Sequence, residues 1–239
     1  MKSKTSRLDR FIFRHSEFSM SDVRLLLAQG RIVVDGCVAQ SIQQKVTEFS
    51  RVVLDDKCLQ DRQPIYLMLH KPKGVVSATK DGKHTTVLDL INHPKKHELH
   101  IVGRLDFNTT GLVLLTNNGA WSRRISLPET KLKKAYEVTV SKPLDDTYVA
   151  AFREGVYFAY EDITTQPAEL EVLSDYTARL FLTEGKYHQV KRMFGFFDNE
   201  VLALHRVCVG PISLGALEEG RSRALTANEV AIGETLGAL

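Results

Sequence analysis

Long apolar runs are missing from this sequence. The longest reach four to five residues, as in Gly111-Leu112-Val113-Leu114-Leu115, against the ~20 in succession that a membrane-spanning helix needs. No secretion signal is expected either: the basic start Met1-Lys2-Ser3-Lys4-Thr5-Ser6-Arg7 runs into Leu8-Asp9-Arg10-Phe11 instead of an apolar segment with a cleavage site. The expectation is a soluble protein of the cytoplasm, away from membranes. Cysteine is scarce. Cys37, Cys58 and Cys208 are odd in number, far apart and without a CxxC pair, which excludes a disulfide framework and a zinc ribbon and predicts three small buried hydrophobes. An excess of one charge is also lacking: 32 basic residues face 29 acidic ones, a net charge of +3 that by itself identifies no polyanionic partner.

The distribution of charge says more than its total. Residues 1–62 hold 11 basic and 8 acidic side chains, so the remaining 177 residues balance at 21 against 21. Within that balanced remainder, Arg123, Arg124, Lys131, Lys133 and Lys134 cluster against Glu129, whereas residues 137–175 carry nine acids against Lys142 and Arg153. A folded body with one basic and one acidic face fits a protein that docks a polyanion. Asp61-Arg62-Gln63-Pro64 separates the strand-like Arg51-Val52-Val53-Leu54 from Ile65-Tyr66-Leu67-Met68-Leu69, a polar linker ending in proline. It divides the chain into a small module, 1–62, and a larger body, 63–239.

In the small module Leu8, Phe11 and Ile12 lie at i, i+3 and i+4, an apolar stripe opposite Arg7, Arg10 and Arg14. A second helix is expected to start at Ser19 or Ser21 and to stop at Gly30. Arg31-Ile32-Val33-Val34, Asp35-Gly36 and Cys37-Val38 read as a hairpin with a type I′ turn. In the larger body, His70-Lys71-Pro72-Lys73-Gly74-Val75-Val76 reads as strand, turn, strand, with two lysines at the tip. Ile101-Val102-Gly103-Arg104-Leu105-Asp106 leaves the core as a strand and delivers an arginine and a carboxylate. Phe107-Asn108-Thr109-Thr110-Gly111 then leads into the buried strand Leu112–Thr116. Such a loop between two apolar strands can place a carboxylate rigidly against a ligand, although a turn-capping aspartate has the same signature. No Gly-Lys-Ser/Thr follows the glycines, so a phosphate-cradling P-loop is excluded.

These residues carry two resemblances. Arg7-Leu8-Asp9-Arg10-Phe11 and Ser21-Asp22-Val23-Arg24 through Gly30-Arg31-Ile32-Val33-Val34-Asp35-Gly36 resemble the S4 RNA-binding domain, which implies that Arg7, Arg10, Arg24 and Arg31 face RNA phosphates. Gly103-Arg104-Leu105-Asp106, Thr110-Gly111-Leu112, Lys134-Ala135-Tyr136, Glu184-Gly185-Lys186-Tyr187-His188-Gln189-Val190-Lys191-Arg192-Met193 and Leu204-His205-Arg206-Val207 occur in the order found in pseudouridine synthases. The wording of these blocks is most similar to the RsuA type within the RsuA/RluB-like branch.

The resemblance implies isomerisation of a uridine to pseudouridine in small-subunit (16S) ribosomal RNA, at the uridine-516 site of that type. The partner would be 16S rRNA within a small-subunit assembly intermediate, and the protein a monomer. The reaction neither gains nor loses atoms, so it calls for no redox or group-transfer cofactor; no metal is expected either. By position Asp106 is the catalytic nucleophile, Tyr136 the ring that stacks on the target base, Lys191 the ion-pair partner of Asp106, Val190 an apolar wall and Arg104 the side chain that helps to extrude the base. Lys71, Lys73, Arg123, Arg124, Lys131, Lys133, Lys186 and Arg192 are candidate phosphate contacts around the pocket. His93, His97 and His100 invite a zinc reading, but Pro94 and the intervening lysines favour an exposed loop. Two alternatives stay open: a sister synthase of the RluB/RluE/RluF type acting on 23S rRNA or tRNA, and an S4 protein that binds ribosomal RNA without chemistry.

The expected fold is α+β: a small S4-like helix-helix-hairpin domain, then a catalytic domain with a mixed, mainly antiparallel sheet. Strands are predicted near 65–69, 75–78, 111–116, 135–141, 168–173, 178–183 and 201–208, and helices near 118–126, 145–153, 187–197 and 226–237.

Overall fold

A computed structural model describes residues 5–236. The chain separates into two compact units, dividing between Pro64 and Ile65. In the first, β1 (Ser6–Arg7) leads into α1 (Leu8–His15) and α2 (Asp22–Ala28), followed by β2 (Ile32–Val34), β3 (Cys37–Val38), β4 (Lys45–Val46), β5 (Val52–Leu54) and β6 (Lys57–Gln60). Leu8, Phe11 and Ile12 are buried with Val23 and Leu26 against Ile32, Val34, Val52 and Leu54, so the predicted stripe does face a core. Ser19 organises the start of α2: its hydroxyl and N–H both meet the Asp22 carboxylate, whereas Ser21 caps nothing with its side chain. Asp35 and Gly36 have φ of +53° and +84° between β2 and β3, as a type I′ turn requires.

The second unit contains β7 (Tyr66–Lys71), β8 (His100–Val102), β9 (Thr110–Thr116), α3 (Gly119–Ser126), β10 (Lys134–Val140), α4 (Asp146–Glu154), β11 (Tyr157–Phe158) and β12 (Ile163–Thr164). It continues through β13 (Glu169–Ser174), β14 (Thr177–Leu182), α5 (Gln189–Gly195), β15 (Val201–Val209), β16 (Ile212–Ser213), β17 (Ser222–Ala224) and α6 (Ala227–Thr235). The main sheet runs β13-β14-β10-β15-β9-β7-β17, with β16 on β15 and β8 on β9. Its pairings are antiparallel except for β9 with β15, a parallel contact of two residue pairs, His205 with Thr110 and Arg206 with Gly111.

Strand alternation explains why this sheet is covered on both sides. Leu67, Leu69, Val113 and Leu115 point into a core with α4 and α5, while Met68, Leu112 and Leu114 point into another with Trp121 and Ile125 of α3. Full burial of each such side chain contributes about 1.5–3 kcal/mol, and β9, apolar on both faces, draws on both cores. The first residues of β9 meet β15 at very short range. A Cβ on Gly111, whose φ is +110°, would lie 2.3 Å from the carbonyl oxygen of Arg206.

Three expectations are corrected. No strand forms at 75–78: Gly74, at φ +80°, turns the chain away, Val76 bridges only Thr86, and its backbone bonds go to Thr85 and Val87. The cysteines are not buried. Cys37 and Cys58 stand exposed on the edge strands β3 and β6, and Cys208 is half-buried. Helix α5 starts at Gln189 rather than 187, because His188 adopts a left-handed φ of +48°.

Candidate active site

Asp106 lies between β8 and β9 in a loop held by its carbonyl groups. Arg206, 2% exposed, donates from Nη2 to Gly103 O at 2.7 Å and from Nε to Leu112 O at 2.7 Å. Ser77 is buried and bonds Leu105 twice, donating to its carbonyl at 2.6 Å and accepting from its N–H at 3.0 Å. Lys71, fully buried, donates from Nζ to Thr109 O at 2.7 Å, Pro72 O at 3.0 Å and Phe107 O at 3.3 Å. The carbonyls of residues 103, 105, 107 and 109 are thus bound by donors from three other parts of the chain. Such satisfaction of buried backbone groups is what fixes an irregular segment. Burial pushes the Lys71 ammonium down to about 8, opposed by the charges of Asp106 and Glu219.

The loop forms one wall of a cavity of about 780 Å³, lined among others by Arg104, Asp106, Lys134, Tyr136, Val190 and Lys191. The five residues predicted to carry the chemistry, Arg104, Asp106, Tyr136, Val190 and Lys191, therefore share one cleft. Tyr136 and Val190 are buried in its walls, Arg104 is exposed, and the Asp106 side chain is about one-third exposed. On β10, Lys134 and Tyr136 stand two residues apart and so share the cleft face. Burial lowers the Lys134 ammonium, the neighbouring Arg206 charge adds to this, and Glu184 opposes it.

The opposite wall is built by Glu184–Lys191. Gln189 ties it together, accepting from Lys186 N–H at 2.8 Å and donating to Glu184 at 2.7 Å. The same Glu184 oxygen accepts from Gln166 N–H at 2.9 Å. This wall presents His188, whose Nε2 is 3.5 Å from Asp106 Oδ1. No ion pair within 4.0 Å joins Lys191 to Asp106 among the described residues, so the expected partnership is corrected: the imidazole is the basic group at the carboxylate, and Lys191 stands farther along α5.

The candidate phosphate contacts divide. Lys73 and Lys131 are exposed, as is Arg123. Lys71 is buried beneath the loop and out of reach of a phosphate, because its ammonium is spent on three carbonyls. Arg124 donates to Gly233 O and Glu234 O at the end of α6. Lys133 pairs with Glu169, and Lys186 with Glu184. Arg192 pairs with Glu161 and covers the Phe158 ring. In the first unit Arg7 pairs with Asp9 and Arg31 with Asp55, whereas Arg10 and Arg24 are exposed and without ion pairs among the described residues. His93, His97 and His100 build no metal-binding cluster among the described residues.

Reading the sequence missed Ser77, His188 and Arg206. His188 and Arg206 lie inside the quoted motifs, but nothing in linear order tells that one would reach Asp106 and the other the carbonyl of Gly103. For Ser77 no sequence signal exists.

Residues 65–195 match the family described as RNA pseudouridylate synthase, and the chain belongs to that family. It is a pseudouridine synthase, and the similarity to the RsuA type read from its motifs holds. The ribosomal small subunit pseudouridine synthase A of Pseudomonas aeruginosa is 51% identical over 226 residues, covering 94% of this chain and 98% of the relative. The protein of the same description from Escherichia coli is 41% identical over 227 residues, with the same coverage. A solved structure described as a pseudouridylate synthase matches with a TM-score of 0.68 at 36% identity, covering 94% of this chain and 98% of that one.

Proposed function

We propose that this chain converts a uridine of small-subunit (16S) ribosomal RNA to pseudouridine, with Asp106 as nucleophile. The observation that carries the reading is the one cleft lined both by Asp106, on a loop pinned through its backbone, and by the buried Tyr136. The extent of similarity to relatives described as small-subunit synthases supports the substrate. The target base must leave its stack, at a cost of a few kcal/mol. Tyr136 then receives its face, Val190 excludes water beside it, and Arg104 fills the space it vacates.

In the reaction the bond from N1 of uracil to C1′ breaks and one from C5 to C1′ forms. C5 loses a proton and N1 gains one, so the atoms balance without a cofactor or metal. An ionised carboxylate close to phosphates needs nearby positive charge. Lys71 beneath the loop and Lys191 along the cleft supply it, and His188 adds to it when protonated. Tyr136 has a hydroxyl in the cleft suited to proton movement.

The reading extends to uridine 516 as the target, to an assembly intermediate in the cytoplasm as the setting, and to the monomer as the acting form. Residues 1–62 act as an S4-like RNA-binding domain through Arg10 and Arg24, with Arg7 and Arg31 held in place by their carboxylate partners. The remaining candidate contacts at the surface, Lys73, Arg123, Lys131, Lys133, Lys186 and Arg192, add diffuse attraction for phosphate.

The test is to map pseudouridine in ribosomal RNA from cells lacking the protein, complemented with wild type or Asp106→Asn. One 16S pseudouridine is expected to vanish on deletion and to return only with wild type. Restoration by Asp106→Asn removes Asp106 as nucleophile, and loss of a large-subunit site instead overturns the substrate.

A further inference from the structure

The loop that carries Asp106 also borders a second cavity, of about 600 Å³, through Asn108 and Thr109. Thr109, Lys191 and Leu204 line both this cavity and the cleft, so the two share a wall. Lys73 and Asn108, both exposed, border the second cavity next to that shared wall. Neither Lys73 nor Lys191 has an ion-pair partner among the described residues. The acids Asp198 and Glu200 lie past the C-terminal end of α5, whereas Lys191 stands in its first turn, so the positive charge is concentrated at the edge facing the cleft.

The shared wall is also unfinished in its hydrogen bonding. Thr109 is 2% exposed, and its Oγ1 is, among the described residues, the buried side-chain oxygen without a partner. Buried polar groups are nearly always satisfied. An orphan hydroxyl in a wall shared by two cavities is a place where hydrogen bonding can be completed from outside the chain.

We propose that this second cavity is a subsite for the nucleotide adjoining the target uridine. The substrate is then an unpaired RNA segment of at least two nucleotides that bends around Lys191. The inference rests on the reading that the extruded uridine occupies the cleft. Given that, the phosphate linking the two nucleotides falls at the shared wall, where Lys73 and Lys191 offer charge and Thr109 a hydroxyl. The neighbouring base meets the Asn108 amide, a donor and acceptor suited to a base edge, and the apolar side chain of Leu202, 59% exposed at the cavity rim. A paired neighbour, locked in a duplex, could not enter.

The test uses 16S rRNA fragments spanning the proposed target, intact or with an abasic ribose at the 5′ or the 3′ neighbour, and measures Kd with the full chain. The abasic change is expected to weaken binding about tenfold, or 1.4 kcal/mol, on one side only. Asn108→Ala combined with Leu202→Asp, both at exposed positions, is expected to weaken binding of the intact RNA by a similar factor and to bind the affected abasic RNA no more weakly than wild type does. Equal binding of all three RNAs by wild type, or additive losses in the double substitution, overturns the subsite. Because the readout is binding, it is independent of turnover. Conversion of the intact fragment by wild type separately checks the reading on which the inference rests.

Discussion

The two walls of the cleft are held by different means. On the Asp106 side, Gly103–Thr109 is pinned through its backbone by Arg206, Ser77 and Lys71, all buried. On the facing side, Glu184–Lys191 is tied by Gln189 and Glu184 but presents Tyr187, 75% exposed and stacked on His188 at 3.9 Å. A nucleophile gains from rigid placement, since small misplacements of a reacting group are costly. A surface that receives folded RNA gains from side chains free to adjust. On the proposed function, the first wall positions the reacting carboxylate and the second adapts to the RNA.

The hardest blow to that division is at the base of the rigid wall. Gly111→Ala forces a methyl to within 2.3 Å of backbone at φ +110°, so β9 and β15 must separate. A loss of about 3 kcal/mol or more in urea unfolding is expected, and an unchanged midpoint would show that the strands have slack. Ser77→Ala removes both bonds to the residue before Asp106. We expect kcat to fall about tenfold to a hundredfold with KM unchanged, and a matching rise in KM would instead place Ser77 in substrate binding.

The third test is pH. Lys71 has all three donors only while protonated, so kcat is expected to decline as pH rises through about 8. Its contribution to stability moves the other way. The folded value lies below the ordinary 10.5, so the unfolded chain binds the extra proton between these values and the cost of burying the ammonium is relieved there. A fall in Tm that tracks the fall in kcat would attribute the alkaline loss to unfolding. On the adaptable wall, Tyr187→Ala should raise KM only a few-fold and leave kcat within about twofold. A large kcat effect there would erase the distinction between the walls.

Much of this architecture was legible in linear order because it rests on local rules. The stripe Leu8-Phe11-Ile12, the Asp35-Gly36 turn and the apolar run into β9 each announce their structure over fewer than ten residues. The segment after Gly74 misled, since Val75-Val76 has strand propensity but pairs with no strand of the main sheet, and its hydrogen bonds went to 85–87. Exposure of Cys37 and Cys58 was equally hidden, being decided by which strands ended at the sheet's edges.

The site divides along the same line. Residue types and their order determined the chemistry available: one aspartate in a small-residue loop, a tyrosine two residues beyond a lysine, and a run of basic residues around Val190. Which lysine serves as scaffold, which histidine reaches the carboxylate, and which serine holds the loop were decided only by tertiary structure. Lys71 and Asp106 are 35 positions apart, and Arg206 lies a further 100 along the chain. Their contacts depend on where β7, β9 and β15 come to lie side by side, which no local pattern specifies. Periodicity records which face of a strand is buried; the partner met on that face is set by the packing of the whole sheet.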